Sequence, residues 1–313
     1  MGGFQAPLSG HIEAALTQYA VGYRSQQFIA DQVMPRVDVA RKSDKYYIFD
    51  RRTAQLIQQT LRAEGAPANQ IRRSISNTTF TCECHALAAV LSDEEKAIYE
   101  LGDLQQEAVA SIQELLLLGR EKSFADMVTD SSVITQYTTL AGDKKWSNAL
   151  NSDPRGDIQT GKTTILKAAG VMPNTLVINT DVLHALQNNK QLLEAFKYTR
   201  PGIIGPTEIA SFFDIPRVLV CPAVYTDKDG TADYVMGKHA LLCYVDLNAS
   251  RNDPSFAKTF VWSSAPDTFG GYAVMVGTYG VPSARADEVS CHWYYDQVVT
   301  FASAAYLLKN AAA

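Results

Sequence analysis

The 313-residue chain has no long apolar run, no cysteine framework and no excess of positive charge. Its densest aliphatic stretch, Leu115 to Leu118, is short and flanked by charge, far below the ~18 consecutive apolar residues that mark a membrane span. Five cysteines (Cys82, Cys84, Cys221, Cys243 and Cys291) are an odd count without regular spacing. With no signal-like segment at Met1-Gly2-Gly3-Phe4, they read as reduced thiols in a cytosol rather than as bridges. The formal net charge of −5 argues against a general nucleic-acid binder, which carries a basic face. Gly-x-Ser-x-Gly is absent, and the five histidines (11, 85, 184, 239 and 292) form no evident pair with a serine or cysteine nucleophile. Internal repeats and low-complexity segments are missing as well.

What is present is unevenly distributed charge. Residues 1 to about 38 hold small apolar patches interrupted by Pro35. They fit either an arm that packs on something else or an ordinary first helix of a compact core. Lys45 to Phe49 reads as a strand and Ile75 to His85 as its return, around a polar segment with a turn at Glu64-Gly65-Ala66-Pro67. Between 41 and 75, eight basic residues (Arg41, Lys42, Lys45, Arg51, Arg52, Arg62, Arg72 and Arg73) face three acids (Asp44, Asp50 and Glu64), a net +5. A long basic hairpin with little apolar content cannot bury itself and is expected to reach for a partner.

Ser92-Asp93-Glu94-Glu95 follows as a capping box, with acids against the helix dipole. Ile98, Leu101, Leu104, Ala108, Ile112, Leu115 and Leu116 recur at helical spacing, predicting one helix to about Met127, roughly 50 Å long at ~1.5 Å per residue. Its far face carries nine acids (Asp93, Glu94, Glu95, Glu100, Asp103, Glu107, Glu114, Glu121 and Asp126) against Lys96, Arg120 and Lys122, a net −6. Beside a basic hairpin, that face is a candidate inter-subunit contact. From about 155, helices are expected at Asp157–Ala169, Asp181–Gln187, Lys190–Tyr198 and Pro206–Phe213. Strands are expected at Thr175–Asn179, Arg217–Tyr225, Tyr234–Val245, Lys258–Trp262, Tyr272–Tyr279 and Val289–Leu308. The fold class is α+β.

Two motifs invite other chemistry. Gly156 to Thr163 satisfies the phosphate-loop pattern G-x-x-x-x-G-K-[ST], in which backbone amides cradle phosphates and the lysine reaches the terminal ones. That loop needs a buried strand before it. Here polar residues 148–155, closed by Pro154, precede it, and the segment reads as helix. Cys82-Glu83-Cys84-His85 and Cys291-His292 offer soft metal donors, but no second C-x-x-C or H-x-x-H pair completes either set. No catalytic, cofactor or metal residue is therefore assigned, and no enzyme activity is expected.

Asp153-Pro154-Arg155-Gly156-Asp157-Ile158, a helix, and then Pro173-Asn174-Thr175-Leu176-Val177-Ile178 form the most specific stretch of a wider pattern. Leu186-Gln187-Asn188-Asn189, Phe196-Lys197-Tyr198-Thr199, Asp253-Pro254-Ser255-Phe256 with Thr259-Phe260-Val261-Trp262, and Ala304-Ala305-Tyr306-Leu307-Leu308 follow in order. Across nearly the whole chain this resembles the major capsid proteins of tailed bacteriophages, the Hong Kong 97-like family. The resemblance implies an N-terminal arm at 1–40, an extended loop at 41–85, and a spine helix with peripheral domain at 86–152. An axial domain at 153–285 and C-terminal strands of the peripheral domain at 286–313 complete it. It also implies a homo-oligomer of pentamers and hexamers forming an icosahedral virion shell, assembled in the host cytoplasm around double-stranded DNA without sequence-specific binding. A separate scaffolding protein, a portal and a cement or decoration protein are the implied partners, with no membrane and no cofactor. The expected inter-subunit contacts are Arg51, Arg52, Arg62, Arg72 and Arg73 on the loop, and Glu100, Asp103, Glu107 and Glu114 on the helix. Some family members cross-link a loop lysine to an asparagine. This chain has no lysine between Tyr46 and Glu95, which speaks against that mechanism. An encapsulin-type nanocompartment shell shares the fold and is the alternative.

Overall fold

Two sheets and the helix that ties them together organise the chain. The computed structural model describes residues 11–12, 28–48, 60–61, 76–98, 104–197, 204–248, 250–251, 253–265, 274–281 and 285–313. In chain order the N-terminal part holds β1 (His11–Ile12), α1 (Ala30–Val33), β2 (Arg36–Val39), β3 (Ser43–Ile48), β4 (Ser76–Thr81), β5 (Glu83–Ser92), α2 (Asp93–Ile98) and α3 (Leu104–Thr129). The middle holds β6 (Tyr137–Thr139), α4 (Pro154–Ala169), β7 (Thr175–Asn179), α5 (Thr180–Gln187), α6 (Lys190–Phe196), α7 (Pro206–Phe213) and β8 (Arg217–Cys221). After them come β9 (Val224–Thr226), β10 (Ala232–Tyr234), β11 (Ala240–Cys243), β12 (Ala257–Trp262), β13 (Val274–Val281), β14 (Ala286–Val299) and β15 (Ala305–Lys309).

The first sheet runs β1-β13-β14-β12-β2, with β5 also on β14. Both β5 and β13 pair with residues 286–293 of β14, so they occupy its opposite sides. Its core lies beneath α3: Val109, Ile112 and Leu116 of the helix meet Val289, Cys291, Trp293 and Tyr295 of β14. Alternate β14 residues point there, the period-2 signature of a strand with one face on a core. The second sheet, β6-β15-β11-β7-β8, is covered on both faces. β7 and β11 are accordingly buried at every position and read as continuous apolar runs. β7 and β8 are parallel and joined through α5, α6 and α7, the long crossover that parallel pairing requires.

Local signals explain several boundaries. α4 starts at Pro154 rather than Asp157 because proline suits the first helical position and the Asp153 carboxylate accepts the Gly156 N–H at 3.0 Å. It stops at Gly170, whose φ of 70° is left-handed. The Ser92–Glu95 capping box is present in both directions, at 3.2 and 3.0 Å.

Three expected strands need correction. Val289–Leu308 is not one strand. β14 ends at Val299, where the Thr300 hydroxyl donates to Ser255 O at 2.6 Å, and a short 3-10 turn at Ala302–Ala304 carries the chain into the other sheet as β15. A boundary at 285/286 therefore does not separate the sheets: β12 and β13, before it, pair with β14, while β15, after it, pairs with β11. Tyr234–Val245 likewise divides into β10 and β11, because Gly237 turns the chain with φ 56°. Arg217–Tyr225 divides into β8 and β9. The expected continuous helix over 92–127 is described as α2 and α3, with 99–103 outside the described residues.

Candidate assembly surfaces

The hairpin β3–β4 pairs from Ser43 with Thr81 to Ile48 with Ser76. Its base is fixed to the first sheet. Phe80 stacks on Phe260 of β12 at 4.4 Å between ring centres, Tyr46 lies 5.7 Å from the same ring, and Cys82 joins this small core with Val37 and Val39. Thr81 N donates to the Asp296 carboxylate at 2.9 Å, and Arg251 pairs with Asp44 at 3.0 Å. A segment of low apolar content is thus held by its stem. The expected contact residues Arg51, Arg52, Arg62, Arg72 and Arg73 lie beyond that stem, outside the described residues, as do Glu100 and Asp103 on the helical side. Among the described residues, Leu61 is 83% exposed.

Glu107 and Glu114, seven residues apart on α3, share one exposed face. Two residues counted with that face behave otherwise. Glu121 is fully buried where α3 crosses from one core to the other. Its carboxylate accepts Ala30 N at 2.8 Å, Ile29 N at 3.2 Å and the Cys221 thiol at 3.4 Å, capping α1; burial holds its pKa above the ordinary carboxylate range. Arg120, also buried, pairs with Asp31 and lies 4.4 Å over the Trp293 ring. These two side chains dock residues 28–34 into the main core, which supports the compact-core expectation for that stretch. Sequence period alone misses them, since glutamate and arginine are rarely buried unless paired. Leu115, expected on the apolar face, is instead 55% exposed and borders a shallow groove with Phe28, Glu114, Leu118 and Val224.

The phosphate-loop match lies wholly within α4. The amides that would cradle phosphates belong to a helix. The Lys162 ammonium donates to the carbonyls of Phe213 at 2.6 Å and Asp214 at 2.5 Å, closing the C-terminus of α7. Gly161 is needed for packing: a Cβ there would approach Tyr306 and Leu242 at 3.0 and 3.2 Å. In the cysteine motif, Cys82 is buried and Cys84 exposed, with the Cys84 sulfur 3.8 Å from His292 Nδ1. Among the described residues no group of three His, Cys, Asp or Glu side chains is arranged to hold a metal. No described helix is long and apolar enough to cross a membrane.

A helix-backed sheet, a second sheet covered on both faces and a stem-anchored hairpin together make the Hong Kong 97-like fold of phage capsid subunits. The capsid structure of cyanophage P-SCSP1u matches over 98% of this chain and 92% of its own, at 9% identity and a TM-score of 0.61. A phage-related protein from Bordetella bronchiseptica RB50 matches over 97% of this chain and 98% of its own, at 22% identity and a TM-score of 0.76. The chain is a homologue of phage major capsid proteins. It is 29% identical over 242 residues to that of Burkholderia phage BcepMu, covering 75% of this chain and 77% of the relative. To the major capsid protein of Pseudomonas phage JBD67 it is 26% identical over 266 residues, covering 80% and 83%. No protein-family model matches the chain.

Proposed function

We propose that this chain is the major capsid subunit of a tailed phage, a structural protein that assembles through pentamers and hexamers into the icosahedral head enclosing double-stranded DNA. The observation that carries the proposal is homology to two phage major capsid proteins over three quarters or more of the chain, on a capsid fold. The phage origin of both relatives favours a head over an encapsulin nanocompartment. In this reading 41–85 is the extended loop and α3 the spine. The second sheet with α4 to α7 forms the axial domain. The first sheet is peripheral, so the C-terminal segment contributes to both. Scaffolding protein, portal and cement protein are the partners of such a shell.

The basic loop (Arg51, Arg52, Arg62, Arg72 and Arg73) then lies against acids of a neighbour's helix (Glu100, Asp103, Glu107 and Glu114). Removing the buried Glu121 and Arg120 leaves that helical face at −6 against the loop's +5. Exposed pairs contribute little each, but complementary fields set register and partner choice, and repetition in a closed shell accumulates small terms. Without a lysine between Tyr46 and Glu95, the shell holds by non-covalent contacts. Electron microscopy of the expressed chain, with and without phage scaffold, is expected to show closed shells; a stable monomer under every condition would overturn the proposal. Reversing Arg72 and Arg73 to glutamate is expected to weaken assembly while leaving the subunit's unfolding midpoint unchanged, and normal shells from that variant would sink the charge pairing.

A further inference from the structure

The face of the first sheet turned away from α3 carries a thiol, an imidazole and a hydroxyl in series. Odd-numbered residues of β14, from Val289 to Tyr295, point into the core beneath α3, so Ser290 and His292 point the other way. In the register of β5 on β14, Cys84 lies opposite Tyr294 and Ala86 opposite His292, which sets the Cys84 side chain diagonally beside the imidazole. The Cys84 sulfur is 3.8 Å from His292 Nδ1, and His292 Nε2 is 3.0 Å from the Ser290 hydroxyl oxygen. That hydroxyl settles which ring nitrogen can take a proton. Ser290 Oγ donates to Gly277 O at 3.5 Å, so its oxygen is left to accept from His292. Nε2 therefore carries the ring hydrogen, and Nδ1 turns its lone pair to the Cys84 thiol. A nucleophile, a base and a third group that orients the base are the arrangement that activates a thiol.

Cys84 is exposed, and the next side chain on its face of β5, Ala86, ends in a methyl group that leaves the sulfur open to a small reagent. Opposite His292 stand Ala86 of β5 and Met275 of β13, neither of which titrates. Glu288, on the same face of β14, is the charged group that acts on the ring. Burial outweighs that acid and holds the His292 pKa below the ordinary imidazole range, which keeps the ring neutral and able to accept a proton. We propose that Cys84 is a modification site for small-molecule disulfides, with His292 as its proton acceptor and Ser290 as the residue that positions the ring. The thiol proton passes to His292 Nδ1 as the Cys84 sulfur attacks one sulfur of the disulfide. The S–S bond of the reagent breaks and a mixed disulfide forms on Cys84. The departing thiolate takes the proton from the imidazolium and leaves as a free thiol. The small disulfide is the oxidant, one of its sulfurs leaving reduced as Cys84 is oxidised. This chemistry belongs to the folded subunit and does not depend on assembly.

Hydroxyethyl disulfide, which is uncharged, is the probe, and mass spectrometry of the full-length unassembled subunit follows the mixed disulfide. Cys84→Ser should lose the fast adduct, and an adduct that persists in this variant overturns the assignment. Between pH 6.5 and 7.5 the parent rate should change by less than ~2-fold, because a base whose pKa lies below its ordinary value of ~6.5 is already mostly neutral there. His292→Gln should react at least ~10-fold more slowly at pH 6.5. Its rate should then climb about tenfold over the same interval, as the ionised fraction of an unassisted thiol does. Ser290→Ala should fall between the two, and a parent-like rate there overturns the positioning role of Ser290. Equal rates and slopes in the parent and His292→Gln overturn the proposal. A parent rate that itself climbs about tenfold across the interval overturns it too, even if a variant fails to fold.

Discussion

Glu121 offers the sharpest test of how the subunit is held together. Its carboxylate is fully buried and receives the N–H groups of Ile29 and Ala30, the first contacts that bring α1 to the core. Glu121→Ala strands two buried donors, each worth about 1–3 kcal/mol when left unsatisfied, for a total of roughly 2–6 kcal/mol. Glu121→Gln keeps one acceptor oxygen and should lose about 1–2 kcal/mol. Urea unfolding of the unassembled subunit, followed by tryptophan fluorescence, measures both; Trp146 reports the main core and Trp293 the core beneath α3. The pH dependence adds a second reading. Burial raises the Glu121 pKa, so between the ordinary carboxylate value and the raised one the folded subunit binds more protons than the unfolded chain. This group's contribution to stability is complete below that window and falls as pH rises through it. The glutamine variant should show a flatter profile there. An alanine variant as stable as the parent would refute the capping argument.

Other consequences are simpler to check. Phe260→Ala, which removes the ring beneath Phe80 and Tyr46, should cost about 3–5 kcal/mol in chemical denaturation; a loss below ~1 kcal/mol would mean the hairpin stem is not anchored there. One thiol, Cys84, should react rapidly with a thiol reagent in the native subunit. Cys82, Cys221, Cys243 and Cys291 are buried, with pKa values pushed up to about 11 for the first and about 12 for the others. Two or more fast thiols would contradict the burial. Lys162→Ala should lower stability by about 1 kcal/mol through loss of the α7 cap and leave nucleotide titrations without a saturable signal. Saturable ATP binding that this substitution abolishes would overturn the helical reading of residues 156–163.

Local chemistry in the sequence determined much of this protein. The Ser92–Glu95 box, Asp153-Pro154 before α4, Gly170 after it and the uninterrupted apolar run of β7 act within a few residues of themselves, so they are legible without a fold. The tertiary structure decided what depends on distant neighbours. Glu121 and Arg120 look like surface charges until Ile29, Ala30, Asp31 and Trp293 arrive to satisfy them. Val289–Leu308 looks like one strand until Ser255 and Phe256 take the Thr300 groups and send its two halves to different sheets. Gly156–Thr163 looks like a phosphate loop until α4 claims its amides and the carbonyls of α7 claim its lysine. Cys84 and His292 stand 208 positions apart, and only the register of β5 on β14 sets the thiol beside the imidazole. Burial and long-range pairing set the environment of a polar group, and they are properties of the folded chain rather than of any window along it.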